Sequence, residues 1–393
     1  MSETTNPGLE GVIVAETELS DVDGEAGELI IGGYPLEELA ANASYEESVF
    51  LLFKGRLPTA DELETFRTDL AARRRITEEV RQVLRRAAAD GAPAMDALRM
   101  GVAAASLEDE GGERENADVD TTAETGSGPR ADAIRLVAVV PTVVATYWRY
   151  RRGEEPLEPR SDLNHAANYL YLLTGEEPTP ADVRGLETYL NTVIEHGVNA
   201  STFTARTVVS TDSDLISAIT AAVGALKGPL HGGAPGPVLE MLREVHEEGD
   251  PEGYVREKLE GGERLMGFGH RVYRVRDPRA AVLSDAAERL YAQSADADFF
   301  ETVQAFESTA VDALAEHKPD RRLETNVEFY TAALLDGVGV PQELFTPTFA
   351  VSRVGGWSAH CLEQLEDNRL VRPVSRYVGE TGRTWTPVDE RGV

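Results

Sequence analysis

The chain has 393 residues, 41% of them hydrophobic, enough apolar material for one large core or two. Asp and Glu number 69 against 38 Lys and Arg, and the resulting net charge of −31 argues against duplex nucleic acid or an anionic membrane as the main partner. A single cysteine, Cys361, excludes intrachain disulfides and Cys-rich zinc sites.

The basic side of the balance is lopsided, since lysine occurs only at Lys54, Lys227, Lys258 and Lys318. Abundant carboxylates with almost no lysine point to a protein adapted to saturated salt, where self-repulsion is screened within a few ångströms. Met1 to Glu18 has no basic stretch followed by an apolar run. The longest apolar segment, Leu136 to Trp148, is too short to span a bilayer and contains Pro141. A cytoplasmic location is expected.

In chain order, Gly11 to Thr17 and Glu28 to Tyr34 flank the turn-forming Asp21-Val-Asp-Gly, a pattern that predicts a small β hairpin. Ser44-x-x-Glu47 and Thr59-x-x-Glu62 are capping boxes, and Thr179-Pro180 puts proline at a first helical position. Helical periodicity follows at Asp61 to Arg86, Met95 to Leu107, Arg130 to Arg151, Ser161 to Leu173, Ala181 to Ile194 and Asp214 to Leu226. The expected fold is all-α with a short N-terminal β hairpin. Glu108 to Gly128 carries eight acids and one base, and is expected to be a solvated surface loop. Gly and Pro are dense from Lys227 to Pro237, which marks a domain boundary or a loop that approaches a ligand.

Four segments gather His, Arg and Gly in a chain otherwise poor in positive charge. They are Glu195 to Arg206, Lys227 to Ala234, Met266 to Arg279, and a last region with Asn326 to Tyr330, Val351 to His360 and Leu370 to Arg376. Gly261 to Ala280 alone holds five arginines against Glu263 and Asp277. Such an island beside histidines suggests a small polyanion held next to acid–base groups, with pairing to surface acids as the plainer alternative. His196, His231 and His270 lie 35 and 39 residues apart, each flanked by glycine, and no zinc-ligand spacing appears. Imidazoles acting as proton donors or acceptors close to a ligand fit that context. His165, His246, His317 and His360 carry no such context and are expected to be structural.

In order and over most of the chain, these segments resemble citrate synthases. The resemblance runs from Gly8-Leu-Glu-Gly and Leu29-Ile-Ile-Gly-Gly-Tyr, through His-Gly-Gly-Ala, Gly-Phe-Gly-His-Arg-Val-Tyr and Asp-Pro-Arg, to Arg372-Pro. The compact length looks like the dimeric archaeal or bacterial branch. The resemblance implies a two-domain helical fold, with a large domain of residues 1–228 and 332–393 and a small domain of 229–331 that closes over the substrate, Gly228 and Ala332 lying near the hinges. It implies condensation of oxaloacetate with acetyl-CoA, with no metal and no cofactor beyond the CoA substrate. His231 would stabilise the enolate, Glu328 would be the base and His270 would protonate the oxaloacetate carbonyl. His196, Arg279 and Arg353 would bind oxaloacetate, with Arg372 lent by the other subunit of a homodimer; Arg274 and Arg376 would meet CoA phosphates. The family usually has aspartate where this chain has Glu328. Two rival expectations are a 2-methylcitrate synthase that uses propionyl-CoA, and a catalytically silent relative that only binds CoA or a partner protein.

Overall fold

A computed structural model describes residues 6–105, 128–232, 235–270, 272–292, 294 and 296–391. Among these residues are 16 α-helices and one three-stranded antiparallel sheet, so the fold is all-α with a small β element at its start. The expected loop from Glu108 to Gly128 lies outside the described residues except for Gly128, as do Gly233, Ala234 and Arg271.

The hairpin forms, but with a different first strand. β1 (Ser20–Asp23) pairs with β2 (Glu28–Ile31), Ser20 opposite Ile31 and Asp23 opposite Glu28, and β3 (Tyr34–Pro35) completes the sheet. Asp21 and Asp23, read from sequence as turn residues, are strand residues, and the reversal falls at Gly24 to Gly27. Gly11 to Thr17 stays irregular because it has no core to cover: Ile13 is 89% exposed.

Helix starts follow the capping chemistry. α1 (Leu36–Asn42) leads to α2 (Tyr45–Lys54) and α3 (Ala60–Ala72), and both predicted capping boxes are made, by Ser44 with Glu47 and by Thr59 with Glu62. The single helix expected from Asp61 to Arg86 is two. α4 (Glu78–Ala89) begins afresh at its N-cap Thr77, and the break buries Arg74, whose guanidinium donates to the carbonyls of Arg160 (2.6 Å) and Leu163 (2.8 Å). α5 (Ala94–Ala104) follows. α6 (Pro129–Arg151) is apolar on every face and is long enough to cross a membrane, but 83% of its most apolar stretch is buried by the helices around it. It is the central core helix, as a helix hydrophobic all round can be in a large soluble domain.

The remaining helices frame one region. α7 (His165–Thr174) and α8 (Pro180–Val193) start at Asn164 and Thr179, with Pro180 at the first position of α8. α9 (Ala200–Val209), α10 (Leu215–Leu226), α11 (Pro235–Glu248) and α12 (Pro251–Glu260) follow, then α13 (Pro278–Tyr291), α14 (Ala297–His317), α15 (Val327–Gly337) and α16 (Phe345–Glu366). α8 packs against α13, α15 and α16, and α9 packs against α10 and α16. This arrangement gathers the C-terminal end of α8, the N-terminal ends of α9, α13 and α15, and the middle of α16. Three helix N-termini in one place favour a negatively charged ligand.

Candidate active site

The turn between α8 and α9 carries His196, and the turn between α10 and α11 carries His231. His231 Nε2 lies 2.7 Å from Ser201 Oγ, which also accepts from Trp357 Nε1 at 3.0 Å and lies 2.8 Å from Asn199 Oδ1. Ser201 has one proton and two acceptors in reach. When it donates to Nε2, the ring keeps its own proton on Nδ1. Burial, reinforced by the charge of Arg353, lowers the His231 pKa to about 4, so the ring is neutral at physiological pH.

His270 sits in a loop fixed at both ends. Asn326 takes the carbonyl of Gly267 with its amide (2.9 Å) and that of Gly269 with its side-chain nitrogen (2.9 Å), while the Gly269 amide donates to the Glu324 carbonyl at 2.7 Å. The hairpin holds the other side: the Arg274 amide donates to Gly24 O at 2.9 Å, and a Cβ at Gly24 would come to 2.4 Å from Val272 O. Within the loop, His270 Nδ1 accepts from the amides of Val272 and Tyr273, each at 3.1 Å. Burial and Arg279 lower its pKa to about 4, so the ring is neutral and its proton lies on Nε2.

That Nε2 is 3.3 Å from Nη2 of Arg279. Two donors therefore face one another with no acceptor between them, an arrangement completed by an anionic or carbonyl oxygen. Arg279 is buried, with Nε donating to Asp277 Oδ1 (3.0 Å) and Nη2 to Asp277 Oδ2 (2.7 Å). Burial opposes its charge, and the Asp277 carboxylate outweighs that penalty. His196 closes the same side: Nε2 is 3.1 Å from the Tyr273 hydroxyl, and its ring stands edge-on to His270 at 5.9 Å. Burial first, then Arg279 and Arg353, hold its pKa well below the usual histidine value.

Arg353, 1% exposed, donates through Nε to the Val193 carbonyl at 2.6 Å, and its guanidinium lies 4.7 Å from the Phe349 ring centre. Glu328 is the second residue of α15, and its amide donates to the N-cap side chain of Asn326 at 3.0 Å. Burial raises its pKa to about 7, against the opposing pull of Arg279. His196, His231, His270, Arg279, Arg353 and Glu328 thus form one connected site.

The other three predicted residues stand apart from it within one chain. Arg274 is exposed beside the acidic hairpin residues Asp21, Asp23 and Glu25. Arg372, also exposed, lines a groove of about 1330 Å³ built from the N-terminal segment, Arg206, Glu363 and the start of the C-terminal tail. Arg376 is exposed further along that tail. The arginine island divides as well. Arg279 is buried in the site, whereas Arg276 pairs with Glu307 at 2.9 Å, the plainer alternative read from sequence, and Arg264 is exposed. Among the described residues no cluster of His, Cys, Asp and Glu could hold a metal ion.

Sequence reasoning did not single out Ser201, Tyr273, Asp277, Asn326 or Trp357. Each is a few positions from a predicted residue, but its role depends on a partner brought close by the fold. Asp277 carried the clearest local signal, an N-cap residue before Pro278 and two residues from Arg279.

Residues 8–374 match the family model "Citrate synthase, C-terminal domain". The chain is 46% identical to a citrate synthase of Haloferax volcanii over 392 residues, covering 100% of both chains. It is 35% identical to a 2-methylcitrate synthase of Shewanella oneidensis, covering 98% of each. Among solved structures it resembles the ternary complex of carboxymethyl coenzyme A and oxaloacetate with citrate synthase from Thermoplasma acidophilum, with a TM-score of 0.87, 30% identity, and coverage of 99% of this chain and 100% of that one. The chain belongs to the citrate synthase family of acyltransferases.

Proposed function

We propose that the protein is a citrate synthase that condenses oxaloacetate with acetyl-CoA and water to citrate and CoA, and that it works in a high-salt cytoplasm. The observation that carries this reading is the facing pair of donors, His270 Nε2 and Arg279 Nη2, 3.3 Å apart beside neutral His196 and the raised carboxyl of Glu328. A 2-oxo dicarboxylate supplies the oxygens that those donors lack. His196, Arg279 and Arg353 bind it, and His270 gives its Nε2 proton to the carbonyl oxygen as the new carbon–carbon bond forms.

Glu328 is the base that removes a proton from the thioester methyl. A carboxyl titrating near 7 is a better match to a weak carbon acid than an ordinary glutamate, and half of it is still ionised at that pH. His231, with its proton on Nδ1, donates to the thioester oxygen as charge develops there, the role of an oxyanion-hole donor. Ser201, its oxygen accepting from the Trp357 indole, holds that tautomer when it donates to Nε2. Citryl-CoA is then hydrolysed.

In this reading residues 229–331 form a small unit that closes over residues 1–228 and 332–393 and excludes water from the enolate. Gly228 comes just after Lys227, the C-cap of α10, while Ala332 lies within α15, so the helix that carries Glu328 belongs to both units. The active unit is a homodimer in which Arg372 reaches the neighbouring site, and Arg274 and Arg376 meet the phosphates of CoA. The exposure of all three arginines is compatible with those roles. No cofactor beyond the acyl-CoA substrate is needed.

The test is thiol release at multimolar KCl with oxaloacetate and either acetyl-CoA or propionyl-CoA. Release with the higher kcat/KM for acetyl-CoA is the expected result. A preference for propionyl-CoA would assign the chain to 2-methylcitrate synthesis, an activity that the Shewanella relative's name keeps in view. No thiol from either would overturn the enzyme reading in favour of a silent relative.

A further inference from the structure

The roles above leave out Glu195, a fully buried carboxylate one residue before His196. Its Oε1 accepts from His360 Nε2 at 2.9 Å and from Ser20 Oγ at 3.0 Å. Ser20 Oγ in turn accepts from the amide of Gly197 at 3.0 Å. Both chain neighbours of His196 are therefore tied to one small cluster of oxygens. The peptide that presents the imidazole cannot turn without breaking a buried, charge-assisted hydrogen bond.

The far side of this cluster is α16, and it grips the turn along one face. Arg353, Gly356 and His360 occur at a spacing of three and then four, which places them in line on a helix. Arg353 Nε binds the Val193 carbonyl at 2.6 Å. Gly356 lies so close that a Cβ there would stand 2.1 Å from Ile194 O and 2.7 Å from Glu195 Oε2. His360 takes Glu195.

The proton on His360 is fixed too. Arg206 Nη1 is 2.9 Å from His360 Nδ1, and a guanidinium can only donate, so Nδ1 accepts and Nε2 carries the proton toward Glu195. Arg206 is held by Glu363 at 2.5 Å and by Gln364 at 3.2 Å. Burial pushes the Glu195 carboxyl up, but His360, Arg353 and Ser20 together hold it below the usual carboxylate range, so it remains an anion.

We propose that Glu195 and His360 are positioning residues that lock His196 at a fixed distance from Arg353, so that the two groups meet the oxo-acid substrate already in register. This goes beyond a structural role for His360 and rests on the oxaloacetate-binding role given to His196 and Arg353 above. The inference concerns the oxo acid alone, because His231 is held through Ser201 and not through this cluster.

The experiment is calorimetric titration of the purified protein with oxaloacetate, without acyl-CoA, alongside steady-state KM values for both substrates. The proteins are wild type, Ser20→Ala, His360→Leu and His360→Gln. Losing a hydrogen bond to a buried carboxylate predicts a Kd for oxaloacetate about tenfold higher in His360→Leu, and about threefold higher in Ser20→Ala. The KM for acetyl-CoA should stay within about twofold in every variant, since uniform loss of one binding group does not reach the other substrate. His360→Gln should recover most of the affinity, because its amide offers an N–H to Glu195 and a carbonyl to Arg206. Equal oxaloacetate affinity in wild type and Ser20→Ala, equal rises in both KM values, or no rescue by Gln would each overturn the proposal. Should His360→Leu fail to fold, the Ser20→Ala and His360→Gln comparisons decide the matter. A wild-type protein that neither binds oxaloacetate nor releases thiol would instead overturn the functional reading itself.

Discussion

A carboxylate at the start of a helix and near an arginine should titrate low, yet Glu328 is pushed up to about 7 because burial outweighs both. The sign of the consequence is definite. As the proposed base, Glu328 must be ionised, so kcat/KM should fall as pH drops through about 7, whereas His231 and His270, both near 4, stay neutral and add no limb above pH 5. A profile that is flat from pH 5.5 to 8 would remove Glu328 from the base role. The same shift acts on stability. With a folded pKa above its ordinary 4.5, Glu328 favours the fold fully below that value and loses this contribution as pH rises toward 7. Glu328→Gln should therefore match or exceed wild type in melting temperature at pH 8 while losing about 10² to 10⁴ in kcat. Glu328→Asp draws the carboxylate back by a methylene, and an ångström of misplacement should lower kcat about 100-fold if the pocket was built for the longer side chain; wild-type turnover in that variant would show that the backbone does not compensate for length. At this scale the sequence made the chemistry-bearing side chains legible, since His196, His231, His270 and Arg279 stand among glycines and prolines that have no reason to be there in a helical core. It could not reveal Ser201 or Tyr273, whose meaning lies in Trp357 and His196, 156 and 77 positions away.

Elements explain why the site holds its shape. Asn326 caps α15 with a side chain that also binds the Gly269 carbonyl, and its backbone amide binds the Gly267 carbonyl, so one residue ties Glu328 to the His270 loop. Asn326→Ala should cost about 1 kcal/mol as a lost cap, and it should also lower kcat, because the loop loses the side-chain bond to the Gly269 carbonyl and keeps only the backbone bond at Gly267; a melting-point drop with unchanged turnover would confine Asn326 to helix stability. The hairpin acts from the opposite side. Gly24→Ala would push a methyl against Val272 O, 2.4 Å from the Cβ position, and should raise the KM for oxaloacetate without unfolding the helical core. Helix starts were legible from Ser44, Thr59 and Thr179 because capping is a local exchange of hydrogen bonds. The first strand and the break before α4 were not. Asp21 and Asp23 look like turn residues until Ile30 and Glu28 lie opposite them, and the Arg73 to Thr77 break is stabilised by Arg160 and Leu163 carbonyls that periodicity does not see.

For the whole molecule, the −31 charge and the anionic substrates are in conflict at low ionic strength. Salt at molar concentration screens exposed charges beyond about 3 Å, which leaves Arg279 and Arg353, both buried, as the attraction felt at contact. Lowering KCl should therefore raise the KM for oxaloacetate and lower the melting temperature together; constant values from 3 M to 0.1 M would contradict the proposed high-salt adaptation. The charge was plain in the sequence, but its detail was not, since Arg276 answers to Glu307 and only part of the arginine island serves the site. We propose a dependence of carbon–carbon bond formation on Glu328 as base. Its most direct test is thiol release from acetyl-CoA and oxaloacetate in multimolar KCl by wild type and Glu328→Gln, with oxaloacetate binding measured on both. Turnover in the wild type, its loss in the variant and equal oxaloacetate affinity in the two are expected; a Glu328→Gln enzyme that turns over like wild type would take the base role from Glu328.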